Sequence, residues 1–374
     1  MFKLFAFKNI YTFFCVVLNK SSLKNKINLK SILQNHGMSV MGIDLGTENT
    51  IICLKGQGIV LNEPSIISYI NDGGIENEYL IGNDAKNIIG KTPLKVNIVK
   101  PLQDGIISNN LYCERMISSF MSKVLKQNSL SSPITIVGIP TCATSVERRA
   151  IIDTMERCNT KETLLVYESL LCAIGCGVLI DKPVGYMIID IGGGTTDIAI
   201  VSLGGIIKSC SFKYGGRKMD NAILEFIKLK YNTFIGENTA EMVKNKIGCL
   251  YLTKENVNKS IQITGRDLIS NRPKVFEVPQ EDVVVALSEY TNLLIENVKH
   301  IIDETPPELI DDVFRNGVIL CGGCANLQNI GFILQQVFNL KSRIAGNPLL
   351  SVAKGLEKIV DNYKLYKEYL FNYE

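Results

Sequence analysis

Two short segments hold the residues best suited to chemistry. Asp44-Leu45-Gly46-Thr47-Glu48-Asn49 and Asp190-Ile191-Gly192-Gly193-Gly194-Thr195 each place an aspartate at the end of an apolar run, then a turn of small residues with a threonine, then a second apolar run. A turn of Gly and Thr aims several backbone N–H groups and hydroxyls the same way, the donor set that polyphosphate oxygens require. Two aspartates facing the same phosphates would repel them unless a divalent cation lay between. Asp44 and Asp190 therefore imply Mg2+, held through water because this ion gives up its hydration shell reluctantly. One such turn alone is equally an Asp-led tight turn. Two matched copies, one heading each half of the chain, indicate a duplicated domain whose hairpins share a cleft.

Two further glycine pairs stand at strand-to-helix junctions, Gly215-Gly216 and Gly322-Gly323 within Cys321-Gly322-Gly323-Cys324. Glycine there lets a flat base or ribose lie against the backbone and brings helix N-terminal amides near. Glu241 and Lys244 are three apart on a helical pattern, so they share a face, as a surface ion pair does or as a grip on ribose and base edges does.

The elements that must position these groups alternate. Apolar and β-branched runs predict strands at 40 to 45, 50 to 54, 65 to 70, 134 to 139, 186 to 191, 197 to 202 and 317 to 321. Three- and four-residue apolar spacing predicts helices at 110 to 126, 145 to 158, 167 to 178, 218 to 232, 239 to 251, 281 to 304 and 324 to 337. This is an α/β pattern. Turn residues Asn71-Asp72-Gly73-Gly74 and a Pro-bounded stretch suggest an insertion at about 72 to 100, and a polar segment suggests another at about 236 to 278.

Composition narrows the function. The chain has 374 residues and a formal charge of +3. Residues 1 to 43 hold six lysines and no acid, leaving 34 basic against 37 acidic residues elsewhere. Such a balance argues against nucleic acid as a partner. Only His36 and His300 occur, so a Ser-His-Asp triad or a multi-His zinc site has little to work with. Eleven cysteines at irregular spacing read as free thiols in a reducing compartment. Gly90-Lys91-Thr92 fails as a phosphate loop because position 85 is Ala. Cys321 and Cys324 form a lone pair whose glycines already have a use, and Cys172 with Cys176 reads as packed core. The aromatic tail Tyr363, Tyr366, Tyr369, Phe371 and Tyr373 is expected to dock on the body. Residues 1 to 37 are basic and apolar, with Phe2, Leu4, Phe5, Phe7, Ile10, Phe13 and Phe14. They read as a membrane-surface anchor, a targeting peptide, or sequence upstream of a true start near Met38 or Met41, with the first and last preferred.

Taken in order, the four glycine motifs resemble the nucleotide-binding motifs of the actin, Hsp70 and sugar-kinase superfamily. Gly58-Ile-Val-Leu-Asn-Glu-Pro-Ser65, Pro101-Leu-Gln-Asp-Gly105, Val146-Glu-Arg-Arg-Ala150, Gly265-Arg-Asp-Leu268, Thr305-Pro-Pro-Glu-Leu309 and Ala353-Lys-Gly355 resemble, more narrowly, the MreB family of bacterial actins over about residues 41 to 360. The resemblance implies an α/β, duplicated actin-like (ribonuclease H-like) two-lobed fold. Its lobes would be 38 to 182 with 345 to 374, and 183 to 344. It also implies a weak ATPase that polymerises with Mg-ATP into filaments on the inner face of the membrane and organises cell-wall synthesis with membrane-bound partners. Position by position, Thr47, Glu48 and Asn49 would bind phosphates from the first hairpin, and Gly193, Gly194 and Thr195 from the second. Glu241 and Lys244 would contact ribose and base beside Gly215 and Gly216, with Gly322, Gly323, Cys324 and Ala325 on the adenosine side. Glu168 would position the attacking water, so Glu168 and Thr195 are the expected catalytic residues. Arg217 and Lys218 stand where relatives usually have acids, Cys324 where they have a third glycine, and polar residues 127 to 132 where they have an apolar membrane-inserting pair. A non-polymerising ATPase, a small-molecule kinase or a degenerate scaffold on the same fold are the alternatives. A chaperone is not expected at this length.

Overall fold

The structure is a computed structural model that describes residues 39–72, 75–125, 132–254 and 258–372. Its frame is one sheet built twice. In the first, β1 (Val40–Leu45), β2 (Asn49–Leu54) and β3 (Gly58–Pro64) run antiparallel, and β4 (Ile134–Ile139) and β5 (Glu162–Tyr167) add on parallel to β1, in the order β5-β4-β1-β2-β3. In the second, β6 (Tyr186–Ile191), β7 (Thr196–Ser202) and β8 (Gly205–Phe212) run antiparallel, and β9 (Val318–Cys321) and β10 (Ser342–Ile344) add on parallel to β6, in the order β8-β7-β6-β9-β10. The two orders match strand for strand, so the repeat in the sequence is a repeat in space. Every residue of β1 and β4 is buried, which is why these strands read as unbroken apolar runs and not as alternation.

Two helices join the sheets. α1 (Glu168–Gly175) packs on β6 and β7, while α4 (Ser351–Asp361) packs on β1 and β2. The two helices touch backbone to backbone at glycines. A Cβ on Gly175 would stand 2.1 Å from the Ser351 carbonyl oxygen, and one on Gly355 would stand 2.1 Å from that of Leu171. One apolar cluster, with Ile136, Leu171 and Leu356 on one side and Ile188, Val201 and Ile319 on the other, is thereby shared by both sheets. Each sheet buries its other face in a cluster of its own. Two helices of the second half border the site: α2 (Gly216–Tyr231) and α3 (Glu237–Ile247).

Several expectations shift. The helix read at 281 to 304 is two, Gln280–Ala286 and Ser288–Glu304, broken at Leu287 after the β-branched run Val283-Val284-Val285. The one read at 324 to 337 opens as a 3-10 turn, Gly323–Asn326, and restarts at Ile330 after Asn329 adopts a left-handed conformation at φ 68°. The helix read to 251 ends at Ile247, where Gly248 packs against the Lys244 carbonyl. Strands β3, β5, β8 and β10 and helix α4 were not foreseen from periodicity. In the segment read as inserted at about 72 to 100, the strands Ile75–Ile81 and Val96–Val99 flank Ile67–Asp72, the strand read at 65 to 70, in a small antiparallel sheet. In the polar segment at about 236 to 278, Ser260–Asp267 and Pro273–Pro279 pair as a hairpin.

The aromatic tail docks on the body. Phe371 exchanges backbone hydrogen bonds with Leu165 of β5 at 3.1 and 2.8 Å, and its ring centre lies 4.9 Å from that of Tyr167. Tyr363, Tyr366 and Tyr369 pack on the shared cluster. The N-terminal extension 1–37, the loop 126–131 and Tyr373 lie outside the described residues. Among the described residues no helix is long and apolar enough to cross a membrane.

Candidate nucleotide cleft

The first hairpin is held open at its tip by Ser65. Its hydroxyl donates to the Gly46 carbonyl at 2.7 Å, its amide donates to the Glu48 carbonyl at 2.9 Å, and it meets the Thr50 hydroxyl at 2.9 Å. The Glu-Pro-Ser65 motif is therefore a brace for the turn between β1 and β2. The second turn is closed by the Gly192 amide donating to the Thr195 carbonyl at 2.9 Å. It is fastened from below, because the Gly216 and Arg217 amides at the start of α2 donate to the Gly192 and Gly193 carbonyls, both at 2.9 Å. Those two helix amides, which the sequence places near a ligand, are thus engaged by the hairpin. Gly215 is the residue that permits this contact, since a Cβ there would be 2.7 Å from the Gly192 oxygen.

Both hairpins open on one cavity of about 560 Å3. Thr47, Glu48, Asn49, Gly193, Gly194 and Thr195 line it, together with Asp44, Asp190 and Glu168 at its floor. Gly216, Glu241, Lys244, Gly322, Gly323 and Cys324 line its far side. Two residues expected there do not reach it: Gly215 sits beneath the second turn, and Ala325 is fully buried in the core of the second half. Lys244 lies at the wall with its ammonium held, donating to Asp220 at 2.9 Å and to the Gly216 carbonyl at 3.0 Å. Glu241 lines the cavity one turn earlier on α3.

Gly322 is required by conformation as well as space. Its φ is 83°, and a Cβ would stand 2.4 Å from the Asp190 carboxylate. The loop at Asp104 and Gly105 crosses over the second turn, with the Gly105 amide donating to the Thr47 hydroxyl at 2.9 Å. That loop belongs to a motif noted in the sequence without a role. Asp197 was missed: it is the direct cross-strand partner of Asp190 on β7 and is 3% exposed. The pairing of strands around the second turn is the signal that would have found it.

The acids set one another's protonation. Burial pushes Asp44 up to about 7, with Asp190 adding repulsion. Burial likewise pushes Asp190 up to about 7, with Asp197 adding to it. Glu168 is raised well above the usual carboxylate range by burial, then by Asp44, Asp197 and Asp190. Burial also raises Asp197, against hydrogen bonds from Thr195 and Ser211.

The family model for MreB/Mbl proteins matches residues 38–368. The chain belongs to the MreB/Mbl family. It is 38% identical to the cell shape-determining protein Mbl of Bacillus cereus over 322 residues, 86% of this chain and 96% of that one. It is 36% identical to the cell shape-determining protein MreB of Escherichia coli K12 over 337 residues, 89% and 96% of the two chains. Its structure is similar to that of MreB5 of Spiroplasma citri bound to AMPPNP, with a TM-score of 0.82 and 33% identity over 89% of this chain and 99% of that one. A MamK double helical filament subunit shares the fold at a TM-score of 0.73 and 19% identity.

The MreB/Mbl cleft suits a hydrated divalent ion. Asp44, Asp190 and Glu168 line the cleft and are raised by burial and by neighbouring acids, while Asp197, paired with Asp190 across the strands, is raised by burial and has one buried oxygen with no hydrogen-bond partner among the described residues. A pH dependence follows. The native aspartates hold protons up to about pH 7 that the unfolded chain releases near 3.8. The native state therefore binds more protons in that window, and its stability falls as pH rises through it. In EDTA, the melting temperature should drop between pH 5 and pH 7, and Mg2+ with nucleotide should flatten the drop. An Asp44→Asn, Asp190→Asn double variant with an undiminished slope would assign the effect elsewhere.

Proposed function

We propose that this MreB/Mbl chain is a weak ATPase that binds Mg-ATP between its lobes and polymerises into filaments on the inner face of the membrane, where it organises cell-wall synthesis. The observation that carries this reading is the pairing of two equivalent hairpins, from two equivalent sheets, on one cleft whose floor is acidic. The nucleotide seen in MreB5 and the names of the relatives support it. The lobes are taken as 38–182 with 345–374, and 183–344.

In this reading the turn amides and the hydroxyls of Thr47 and Thr195 take phosphate oxygens. Asp44 and Asp190 would hold Mg2+ through its waters. Glu241 and Lys244 meet the ribose and base, and Gly322, Gly323 and Cys324 flank the adenosine. The bound Mg2+ supplies positive charge that favours ionised carboxylates and offsets charge on the phosphates. Glu168, the first residue of α1, orients the attacking water in line with the terminal phosphate and accepts its proton.

Pelleting of the purified chain with anionic liposomes, with and without Mg-ATP, followed by negative-stain microscopy, tests the reading. Filaments on the vesicles only with nucleotide are the expected result. ATP binding with no assembly across a wide protein concentration range would overturn the polymerising reading and favour a scaffold or a small-molecule kinase on this fold. For residues 1–37, a chain starting at Met38 should bind ATP and lose vesicle association. Unchanged association would move the membrane contact to the body.

A further inference from the structure

Seven carboxylates and four cationic side chains line the cleft. A polyphosphate enters against that balance, so the disposition of the cations decides its affinity. Lys244 is held by Asp220, Lys100 pairs with Glu237 at 3.3 Å, and Lys86 is exposed on a short helix. Arg217 is placed otherwise. From the first turn of α2 it crosses to the opposite hairpin, where Nε donates to the Glu48 carboxylate, one terminal nitrogen to the Thr47 carbonyl, and the other to the Leu102 carbonyl at 3.1 Å. The Glu48 side chain in turn lies over the second turn, so close that a Cβ on Gly193 would be 2.5 Å from its Cγ. The pair thus spans both phosphate-facing turns.

We propose that Arg217 sets the polyphosphate affinity of this cleft by exchanging Glu48 for phosphate oxygens, with Glu48 acting as the built-in competitor. The inference rests on the nucleotide reading above and adds a specificity-determining residue to it. Carboxylate and phosphate offer the guanidinium the same forked acceptor geometry, so they compete for one donor face. A phosphate chain between the turns brings more negative charge than Glu48 does and leaves Glu48 as an unneutralised neighbour. The two partners therefore act with opposite signs. Loss of Glu48 frees Nε of the guanidinium, whose terminal nitrogens remain on the Thr47 and Leu102 carbonyls, and removes a repelling charge. Loss of Arg217 removes the cation and leaves the repelling charge in place.

The test is a calorimetric titration of the full chain with Mg-ATP, Mg-ADP and AMP. From the strength of charge-assisted hydrogen bonds, Glu48→Gln should tighten Mg-ATP about 10-fold and Arg217→Gln should weaken it about 30-fold. Arg217→Lys should fall between parent and Arg217→Gln, since it keeps the charge and loses the fork. AMP, lacking the outer phosphates, should shift little in every variant, which a general loss of cleft structure would not produce. Thermal melting checks that each variant is folded, and Glu48→Gln, which gains affinity, needs no such allowance. Weaker Mg-ATP binding by Glu48→Gln, or equal shifts for AMP and Mg-ATP, overturns the proposal. Failure of the parent to bind Mg-ATP would overturn the nucleotide reading itself. Parent-like binding by both variants overturns this inference alone.

Discussion

Glu168→Ala should bind Mg-ATP as the parent does and release phosphate about 10²- to 10⁴-fold more slowly, the range over which a positioned general base contributes. The geometry behind this is specific. Glu168 begins α1 directly after β5, at the floor of the cleft and among three buried aspartates. That crowding raises its affinity for a proton, so a base at this position is matched to neutral pH only when positive charge arrives with the substrate. The same crowding supplies a control. Glu168 repels its neighbours in the folded chain, so Glu168→Gln, which keeps the volume, should melt no lower than the parent in EDTA. A hydrolysis defect together with undiminished stability separates a chemical role from a packing role. Equal phosphate release by parent and Glu168→Ala would remove Glu168 from the mechanism.

Gly355→Ala should destabilise the chain by about 2 to 3 kcal/mol, the upper part of the usual overpacking cost. Alanine favours a helix over glycine by about 1 kcal/mol, which opposes the effect. The steric term wins because the obstacle is backbone. The new Cβ would lie 2.1 Å from the Leu171 carbonyl oxygen and 2.7 Å from its carbon, so no side chain can rotate away. The helices must separate, and α1 carries Glu168 while α4 packs on β1, the strand that carries Asp44. Phosphate release should therefore fall along with stability. Urea denaturation is the measurement. A Gly355→Ala variant as stable as the parent would mean that α1 and α4 separate at little cost. The Ala-Lys-Gly355 motif, read only as part of a resemblance, is in these terms the seat of a helix-to-helix contact.

Much was legible because it is local. The two Asp-led glycine turns, their flanking strands and the helices at 145 and 218 depend on periodicity, turn residues and caps. Thr144 and Glu147, for example, form a reciprocal cap on the helix Ser145–Arg157. The duplication was visible as two similar strings, and the two sheets repeat the same strand order. Less legible were β5 and α4, which run apolar and mixed without clean alternation because neighbours cover them on more than one side. Ala325 shows the limit from the other direction. It adjoins glycines that line the cleft, yet one step along a 3-10 turn aims it into the core.

The sequence by itself determined the class of fold, the two hairpins, the acids at their bases and the family, since each is written in neighbouring residues or in a repeat. Only the tertiary structure decided how those parts meet. Arg217 could be noticed as a basic residue after two glycines, but its partner Glu48 lies 169 positions away. Asp197 joined the acids through strand pairing, Gly355 acquired its meaning from Leu171, and Lys244, at the cavity wall, found its partner in Asp220. The reason is physical: burial and charge–charge interaction depend on distance in space, and the distances between lobes are set by packing, on which sequence spacing is silent.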